Sequence, residues 1–134
     1  MSDLSKAAAT AGMYKQYIAC LNARTLNKLD QFVTPDVVHN GRALGLDGYR
    51  AMLEENFRDI PDLYFNADLV LANENHVASR LRFDCTPVKN FLGVAVNGRR
   101  ILFYEHAFYA LSEGKVGQVF SVIDKTAVEA QARP

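Results

Sequence analysis

Residues 99–124 read RRILFYEHAFYALSEGKVGQVFSVID. Residues 99–111 and residues 115–124 are both rich in β-branched and aromatic side chains, with turn residues between the two runs. This composition is typical of β-strands, in which successive side chains point to opposite faces. The stretch therefore predicts a β-hairpin closed by a tight turn at Glu113 and Gly114.

The turn sets which side chains share a face of the hairpin. It pairs Leu111 with Val116, and each earlier residue then pairs with a later one. One face is predicted to carry Glu105, Ala107, Tyr109, Gln118, Phe120, Val122 and Asp124. The other face is predicted to carry Tyr104, His106, Phe108, Val119 and Ser121. A β-bulge would exchange these sets locally.

Two more β-rich runs precede the hairpin, at residues 62–71 and 76–86. The second run alternates charged and apolar side chains from Arg80 to Cys85, which indicates one polar and one apolar face. Four such runs in succession, separated by turn residues, predict an antiparallel sheet.

The first half of the chain has helical periodicity instead. Apolar residues recur at three- and four-residue spacing in residues 5–23, which predicts a helix with one apolar face. Thr25 can cap a second helical stretch that Pro35 ends. Residues 36–39 are typical of a short extended piece.

Asp47 can cap a third helix, which Pro61 terminates. The tail after Thr126 is typical of a short helix or a frayed end. Helices followed by a run of strands predict the α+β class, with the helices against one face of a curved sheet and a concavity between them. No linker, repeat or low-complexity tract divides the chain, so we expect residues 1–134 to form one domain.

Composition argues against several classes of function. The 134 residues include 15 Lys and Arg against 15 Asp and Glu, and no basic cluster interleaves with aromatics, so we expect no nucleic-acid partner. No run is suited to a membrane span or a secretory signal, which favours the cytoplasm. Cys20 and Cys85 have no second Cys or His at metal-ligand spacing, so we expect free thiols and no metal site.

Asp124 is the leading candidate for catalysis. It ends a strand that is otherwise apolar, and desolvation on the concave side of a sheet raises a carboxylate's pKa toward the range that a general acid or base needs. The alternative is an exposed carboxylate that pairs with Lys125 or caps the final helix. Glu105 is a second candidate pocket carboxylate, and its alternative is an ion pair with Arg82 or Arg100.

Histidines and aromatic residues complete the candidate set. His39 either faces the cavity and exchanges a proton with a ligand, or is a satisfied core or loop histidine. We expect His106 on the convex side of the sheet. Aromatic side chains commonly line pockets for flat ligands, although they also build cores. The aromatic candidates for ligand binding are Tyr14, Tyr17, Phe57, Phe91, Phe103 and Phe120.

Four short stretches carry a family resemblance. They are residues 32–39 (FVTPDVVH), 46–49 (LDGY), 91–99 (FLGVAVNGR) and 113–124 (EGKVGQVFSVID). In this order and spacing they resemble the SnoaL-like polyketide cyclases and related ester cyclases of the nuclear transport factor 2-like superfamily. The resemblance covers most of the chain. It implies a cone-shaped curved antiparallel sheet packed against about three N-terminal helices, the cystatin-like roll, which encloses a pocket.

The resemblance also implies a reaction without a cofactor. In it, an Asp at the position of Asp124 moves a proton for the intramolecular aldol closure of a hydrophobic polyketide ester. A carbon flanked by two carbonyls is acidic enough for a positioned carboxylate and hydrogen-bond donors. The sequence departs from the family pattern in that Asn97 replaces the usual Thr and Phe120 stands where Trp is common. Ala107 occupies the place of a His, with His106 beside it.

Two other functions stay open. The same cavity suits a non-catalytic domain that binds an apolar compound. Arg82 and Asp84, taken with Asp124, also resemble part of the Asp-Arg-Asp set of limonene epoxide hydrolase-like enzymes on this fold. Arg82 is therefore a further candidate for substrate binding.

The outer face of the sheet is predicted to be an interface. It carries Tyr104, Phe108 and Val119 in the predicted register, and a broad apolar face of this kind is rarely left in water. We therefore expect a symmetric homodimer through this face.

Overall fold

The fold is described for residues 2–132 by a computed structural model. Its helices are α1 (Asp3–Ala23), α2 (Gly45–Asp59) and α3 (Lys125–Ala132), with a short 3₁₀-helix at Leu26–Gln31. Its strands are β1 (Val33–His39), β2 (Asn66–Ala72), β3 (His76–Cys85), β4 (Ile101–Ser112) and β5 (Lys115–Ile123). The predicted α+β class is confirmed.

The five strands form one curved, unclosed sheet in the order β1-β5-β4-β3-β2. Neighbouring strands are antiparallel, except that β1 runs parallel to β5. The four antiparallel strands are those that the sequence predicts. The parallel pairing was not predicted, because β1 and β5 lie far apart in the chain and no turn joins them.

The predicted second helix is wrong beyond its first turns. The 3₁₀-helix ends before β1, and β1 contains Pro35. Val33 and Val37 are fully buried, and the N–H of Val116 donates to the Phe32 carbonyl at 2.8 Å. Burial of β-branched residues in the sheet outweighs the helical spacing here. The proline is tolerated because β1 is an edge strand.

Helix α1 packs against β2 and β3 and covers part of the concave face. Its side chains Tyr14, Tyr17 and Leu21 are almost fully buried. Near its end, the Asn22 side chain accepts from the Phe65 N–H at 2.7 Å and donates to the Phe65 carbonyl at 2.9 Å. One side chain thus satisfies both backbone groups of a residue just before β2 and fixes the helix to the sheet.

Helix α2 begins earlier than predicted. It starts at Gly45, so Asp47 lies within the first turn, where its carboxylate accepts from Arg50 at 3.0 Å. The Asp47 side chain makes no cap hydrogen bond, although its negative charge suits a helix N-terminus. The helix ends at Asp59, shortly before Pro61, as expected.

Strands β4 and β5 pair in two registers that a β-bulge separates. Leu111 pairs with Val116 as predicted, but Ala110 pairs with Gln118, so Gly117 is an extra residue in β5. Because side chains alternate with a period of two, one extra residue moves every later β5 side chain to the opposite face.

The predicted faces of β5 beyond the bulge are therefore wrong. Val119 and Ser121 face inward, whereas Phe120 and Val122 are exposed on the convex side. The predicted faces of β4 are right, since Glu105 and its neighbours of the same parity point to the concave side.

Two further findings concern residues 2–132. Cys20 and Cys85 are both buried and free. None of the helices in this part of the chain has the length and apolar character needed to cross a membrane.

Candidate active site

A cavity of about 460 Å³ lies between the concave face of the sheet, the helices and the segment that joins β3 to β4. The helices contribute Tyr17, Leu21, Tyr49, Met52, Leu53 and Asn56. The sheet contributes His39, Glu105, Tyr109, Val119, Ser121 and Ile123. The remaining lining residues are Asn40, Phe65, Phe91, Leu92 and Lys125. A largely apolar wall with a few converging polar groups is typical of a small-molecule site.

Glu105 projects from the middle of β4 into this cavity. Its register partners are Leu81 on β3 and Ile123 on β5, so its neighbours across the sheet are apolar. Burial raises the pKa of the Glu105 carboxyl to about 7, and the nearby Ser121 hydroxyl opposes this shift. No Lys or Arg within residues 2–132 forms an ion pair with it. Near neutral pH the carboxyl is therefore present in both its acid and its base form.

The two arginines considered as partners of Glu105 lie elsewhere. Arg82 is the register partner of Tyr104 and lies on the convex side of the sheet. Arg100 donates two hydrogen bonds to Asp84, both at 2.8 Å, which hold the pKa of that carboxyl below its usual value. Arg82, Asp84 and Asp124 therefore do not meet in the cavity, and the arrangement of the epoxide hydrolase-like enzymes is not formed.

His39 reaches the cavity from the end of β1. Its Nε2 lies 3.4 Å from the Ser121 hydroxyl. Burial, with a contribution from the positive charge of Arg42, lowers the pKa of its imidazole. The Asn40 side chain fixes this corner, because it accepts from the Ser121 N–H at 2.8 Å and donates to the Ser121 carbonyl at 3.1 Å. Asn40 has a φ of 48°, a left-handed conformation that Asn tolerates well.

Four buried tyrosines surround the inner part of the cavity. The hydroxyl oxygens of Tyr17 and Tyr49 are 2.7 Å apart. The Tyr14 hydroxyl donates to that of Tyr109 at 3.5 Å. Tyr14 lies behind the lining, whereas the other three contribute to it. Burial raises the pKa of each of the four phenols, so they remain protonated hydrogen-bond donors at neutral pH.

Asp124 does not line the cavity. It is exposed, and its carboxylate accepts from the Ala127 N–H at 3.2 Å, which makes it the N-cap of α3. The expected burial of Asp124 on the concave side is wrong. The physical reason is the bulge at Gly117, which reverses the face of every residue after it. The alternative considered for this residue, a cap on the final helix, is the one that the structure adopts.

The aromatic candidates divide into lining and core residues. Phe91 lines the cavity, as does Tyr17. Phe103 lies behind the lining, with its ring centroid 5.1 Å from that of Phe91, and Phe57 is buried in the core. Phe120 is 46% exposed on the convex face, again because of the bulge.

Several lining residues were not predicted. Tyr49 lies on α2 and was not named as a candidate. Ser121 was assigned to the wrong face. A glycine inside a strand is a recognised signal of a bulge, so Gly117 was the residue that could have corrected the assignment.

Within residues 2–132, no group of three or more His, Cys, Asp or Glu side chains is placed to hold a metal ion.

The curved sheet, the covering helices and the cavity define a protein of the nuclear transport factor 2-like fold. The profile of the family described as SnoaL-like polyketide cyclase matches residues 11–132. The chain belongs to this family. No curated protein sequence is significantly similar to it.

One solved structure supports the same assignment, and two more distant ones share the fold. A SnoaL-like polyketide cyclase from Agrobacterium tumefaciens strain C58 is 42% identical, with a TM-score of 0.92 over 99% of this chain and 100% of that chain. IdmH, a proposed polyketide cyclase from Streptomyces antibioticus, is 17% identical, with a TM-score of 0.78 over 91% of this chain and 96% of its own. AclR, a proposed hydroxylase from Streptomyces galilaeus, is 22% identical, with a TM-score of 0.76 over 93% and 96%. The last two share the fold alone, and a fold by itself does not decide the reaction.

Proposed function

We propose that this chain is a cyclase-like enzyme that performs acid/base chemistry on a hydrophobic carbonyl compound, such as the intramolecular aldol cyclisation of a polyketide ester. The observation that carries the proposal is Glu105, a carboxyl in a largely apolar cavity with no ion-pair partner within residues 2–132. Its pKa of about 7 suits a general base at neutral pH. Family membership supports the reaction class. The proposal gives Glu105 the role that the sequence assigned to Asp124.

The proposed reaction balances without a co-reactant or a cofactor. The Glu105 carboxylate removes a proton from a carbon between two carbonyl groups, and the C–H electron pair becomes part of an enolate. The enolate carbon attacks another carbonyl carbon of the same molecule, which forms the ring C–C bond and leaves an alkoxide. The carboxylic acid of Glu105 then returns the proton to the alkoxide oxygen. Each step uses the same carboxyl in alternate protonation states.

His39 supplies a second polar group in this scheme. Since burial lowers the pKa of its imidazole, the ring is neutral at pH 7 and carries one N–H donor. The Ser121 hydroxyl lies beside it at 3.4 Å and fixes one ring nitrogen. We assign His39 to orienting the substrate, with Tyr17 and Phe91 as apolar contacts for the rest of the molecule.

The proposal is tested by carbon-bound hydrogen exchange. Methyl α-methylbenzoylacetate is an aromatic β-keto ester with a single exchangeable α-hydrogen and is small enough for the cavity. Its replacement by deuterium in heavy water is followed by proton NMR with wild type, Glu105→Gln and Asp124→Asn. We expect wild type to accelerate exchange and Glu105→Gln to lose that acceleration by about a hundredfold or more.

Asp124→Asn is the matched control, because Asn also caps helices and the residue lies outside the cavity. It should keep exchange within about twofold of wild type, well inside the hundredfold range that loss of a base produces. Loss of exchange in Asp124→Asn with retention in Glu105→Gln would return the role to Asp124. Background exchange in all three proteins, with the ester still bound, would support a binding function without turnover.

We also propose a homodimer through the convex face of the sheet. Leu71, Ala78, Phe108 and Phe120 are successive register partners across four strands and form one apolar row. Leu71 is 64% exposed and Phe108 61% exposed, so a partner surface is needed to remove this row from water. The inward position of Val119 removes it from the interface that the sequence predicted.

We propose the cytoplasm as the location of this activity. The support is the pair of free, buried cysteines, because a reducing compartment keeps thiols in that state.

A further inference from the structure

The hydroxyl groups of Tyr17 and Tyr49 together carry two hydrogens, but the hydrogen bond between them uses only one. Each phenol carries one O–H, and a contact of 2.7 Å between the two oxygens uses one of these two hydrogens. Neither hydroxyl makes another hydrogen bond to residues 2–132. The second hydrogen is therefore not accepted by this part of the chain.

Both residues are buried, at 1% and 3% exposure, and both line the cavity. A buried polar hydrogen without an acceptor is costly, so natural structures rarely leave one without a purpose. Because both residues line the cavity, an acceptor oxygen on a ligand bound there could take this hydrogen.

The protonation state of the pair makes it a donor. Burial raises the pKa of both phenols, and the negative charge of Glu105 adds to this effect. The pair therefore keeps both hydrogens when Glu105 is ionised, and it cannot act as the base. Because one phenol already donates to the other, the outer O–H is polarised and becomes a stronger donor.

We propose that the Tyr17–Tyr49 pair is the site that binds a carbonyl oxygen of the substrate and stabilises the enolate oxygen that forms from it. The substrate class is then a ketone or ester whose carbonyl oxygen reaches the pair while its acidic carbon faces Glu105. This inference rests on the proposed function for the enolate step, but the binding of a carbonyl oxygen is independent of turnover. In the proposed enolate step, the two tyrosines bind the reacting carbonyl group and Glu105 moves the proton.

Fluorenone and fluorene test the oxygen site without any reaction. Fluorenone is a flat ketone that has no α-hydrogen and can only accept hydrogen bonds, and fluorene has the same ring system without the oxygen. Affinities are measured for wild type, both single Tyr→Phe variants and the double variant Tyr17→Phe/Tyr49→Phe. The pH is about 9, where Glu105 is ionised and cannot donate. Infrared spectroscopy reports the fluorenone carbonyl stretch in each complex.

We expect the double variant to bind fluorenone about three- to tenfold more weakly and fluorene unchanged. The carbonyl stretch should lie at lower frequency in wild type than in the double variant. Each single variant leaves one phenol with an uncommitted hydrogen, so both singles should keep most of the frequency shift. The double change removes both partners of one hydrogen bond and should fold normally, which thermal unfolding checks.

Tyr104→Phe is the matched control, because Tyr104 lies on the convex face and should change neither ligand. An equal loss of fluorenone and fluorene in the double variant would indicate packing and overturn the proposal. A hydrogen-bonded carbonyl frequency that persists in the double variant would also overturn it. If the fluorenone results contradict the oxygen site but deuterium exchange still depends on Glu105, the proposed function stands. If the fluorenone results are as expected but exchange does not depend on Glu105, only the proposed function is lost.

Discussion

The Ser121 hydroxyl lies 3.4 Å from Nε2 of His39, and Ser121 also lies close enough to the Glu105 carboxyl to lower its pKa. Burial acts on the two titrating groups in opposite directions, since it raises the pKa of Glu105 and lowers that of His39. In both cases it favours the uncharged form. One hydroxyl thus adjoins a carboxyl that titrates near pH 7 and an imidazole whose pKa is lowered.

The pH dependence of exchange follows from this arrangement. The proposed catalysis needs the Glu105 carboxylate, so the rate constant should rise as the pH rises through about 7 and then level off. Burial lowers the pKa of His39, so any inflection from its imidazole should lie at a lower pH than that of Glu105. The measurement is the pH profile of deuterium exchange under conditions where the ester is far below saturation. A profile that is flat between pH 5 and 9 would contradict the assignment of Glu105 as the base.

The Glu105→Gln variant should be more stable than wild type at pH 8. Between about pH 4.5 and 7 the folded protein holds a proton on Glu105 that the unfolded chain has released, so the free energy of unfolding of wild type falls as the pH rises. The variant has no carboxyl at this position, so its free energy of unfolding should exceed that of wild type by roughly 3 kcal/mol at pH 8. Below about pH 4.5 the difference should vanish.

Urea unfolding at several pH values measures this difference, and comparing the two proteins cancels the contribution of His39. Glu129→Gln is the control, because Glu129 is exposed on α3 and should give no pH-dependent gain. A Glu105→Gln variant that is less stable than wild type at pH 8 would show that the carboxylate is paired in the folded state.

Loss of the Asp124 carboxylate should affect stability rather than chemistry. Asp124→Ala removes the N-cap of α3 and should lower the free energy of unfolding by about 1 kcal/mol. Asp124→Ser should recover most of that loss, since Ser is also a good cap. Thermal unfolding of the three proteins checks the order. Equal stability of all three would show that the cap contributes nothing.

Deletion of Gly117 should be far more damaging than its substitution. Without the extra residue, Val119 and Ser121 would exchange faces with Phe120 and Val122, so we expect a loss of more than about 3 kcal/mol. Gly117→Ala keeps the bulge, and its added Cβ would meet Ser112 Cβ at 3.4 Å, an ordinary contact. That variant should stay within about 1 kcal/mol of wild type by urea unfolding. A stable deletion variant would mean that the register is not set by burial.

A charge in the apolar row should separate the dimer. Phe108→Glu places a carboxylate in the middle of that row, and we expect a monomer by light scattering at micromolar concentration where wild type is a dimer. Tyr64→Glu is matched in exposure, at 62% against 61%, but Tyr64 precedes β2 and lies outside the row. It should leave the dimer intact. A monomeric wild-type protein, or a dimeric Phe108→Glu variant, would contradict the proposed interface.

Much of the fold follows from local periodicity. The helix that begins at Asp3 and the four antiparallel strands are set by apolar spacing and turn residues, both of which are visible in a short window. β1 is different, because its burial comes from pairing with β5 about 80 residues away. The helical spacing of the residues before Pro35 contains no information about pairing with β5.

Residues of the site were assigned to the correct face only where the predicted register of β4 and β5 was correct. Glu105 and Tyr109 lie before the bulge and were assigned to the correct face, whereas Ser121 and Asp124 lie after it and were not. A single uncounted residue thus determines which of the two carboxylates lies in the cavity. The Tyr17–Tyr49 contact could not be predicted at all, because it depends on how two helices approach each other.

The segment between β3 and β4 contributes Phe91 and Leu92 to the cavity, whereas Glu105 stands on a strand paired on both sides. Leu92 has a φ of 54°, so this segment holds its side chain over the cavity at a cost in backbone strain. Changes of sequence there alter the shape offered to a ligand without touching the hydrogen-bonded ladder that holds the carboxyl. Under the proposed function, the residues that select the substrate and the residue that transfers the proton thus lie on separate parts of the fold, the first on a connecting segment and the second on a strand paired on both sides.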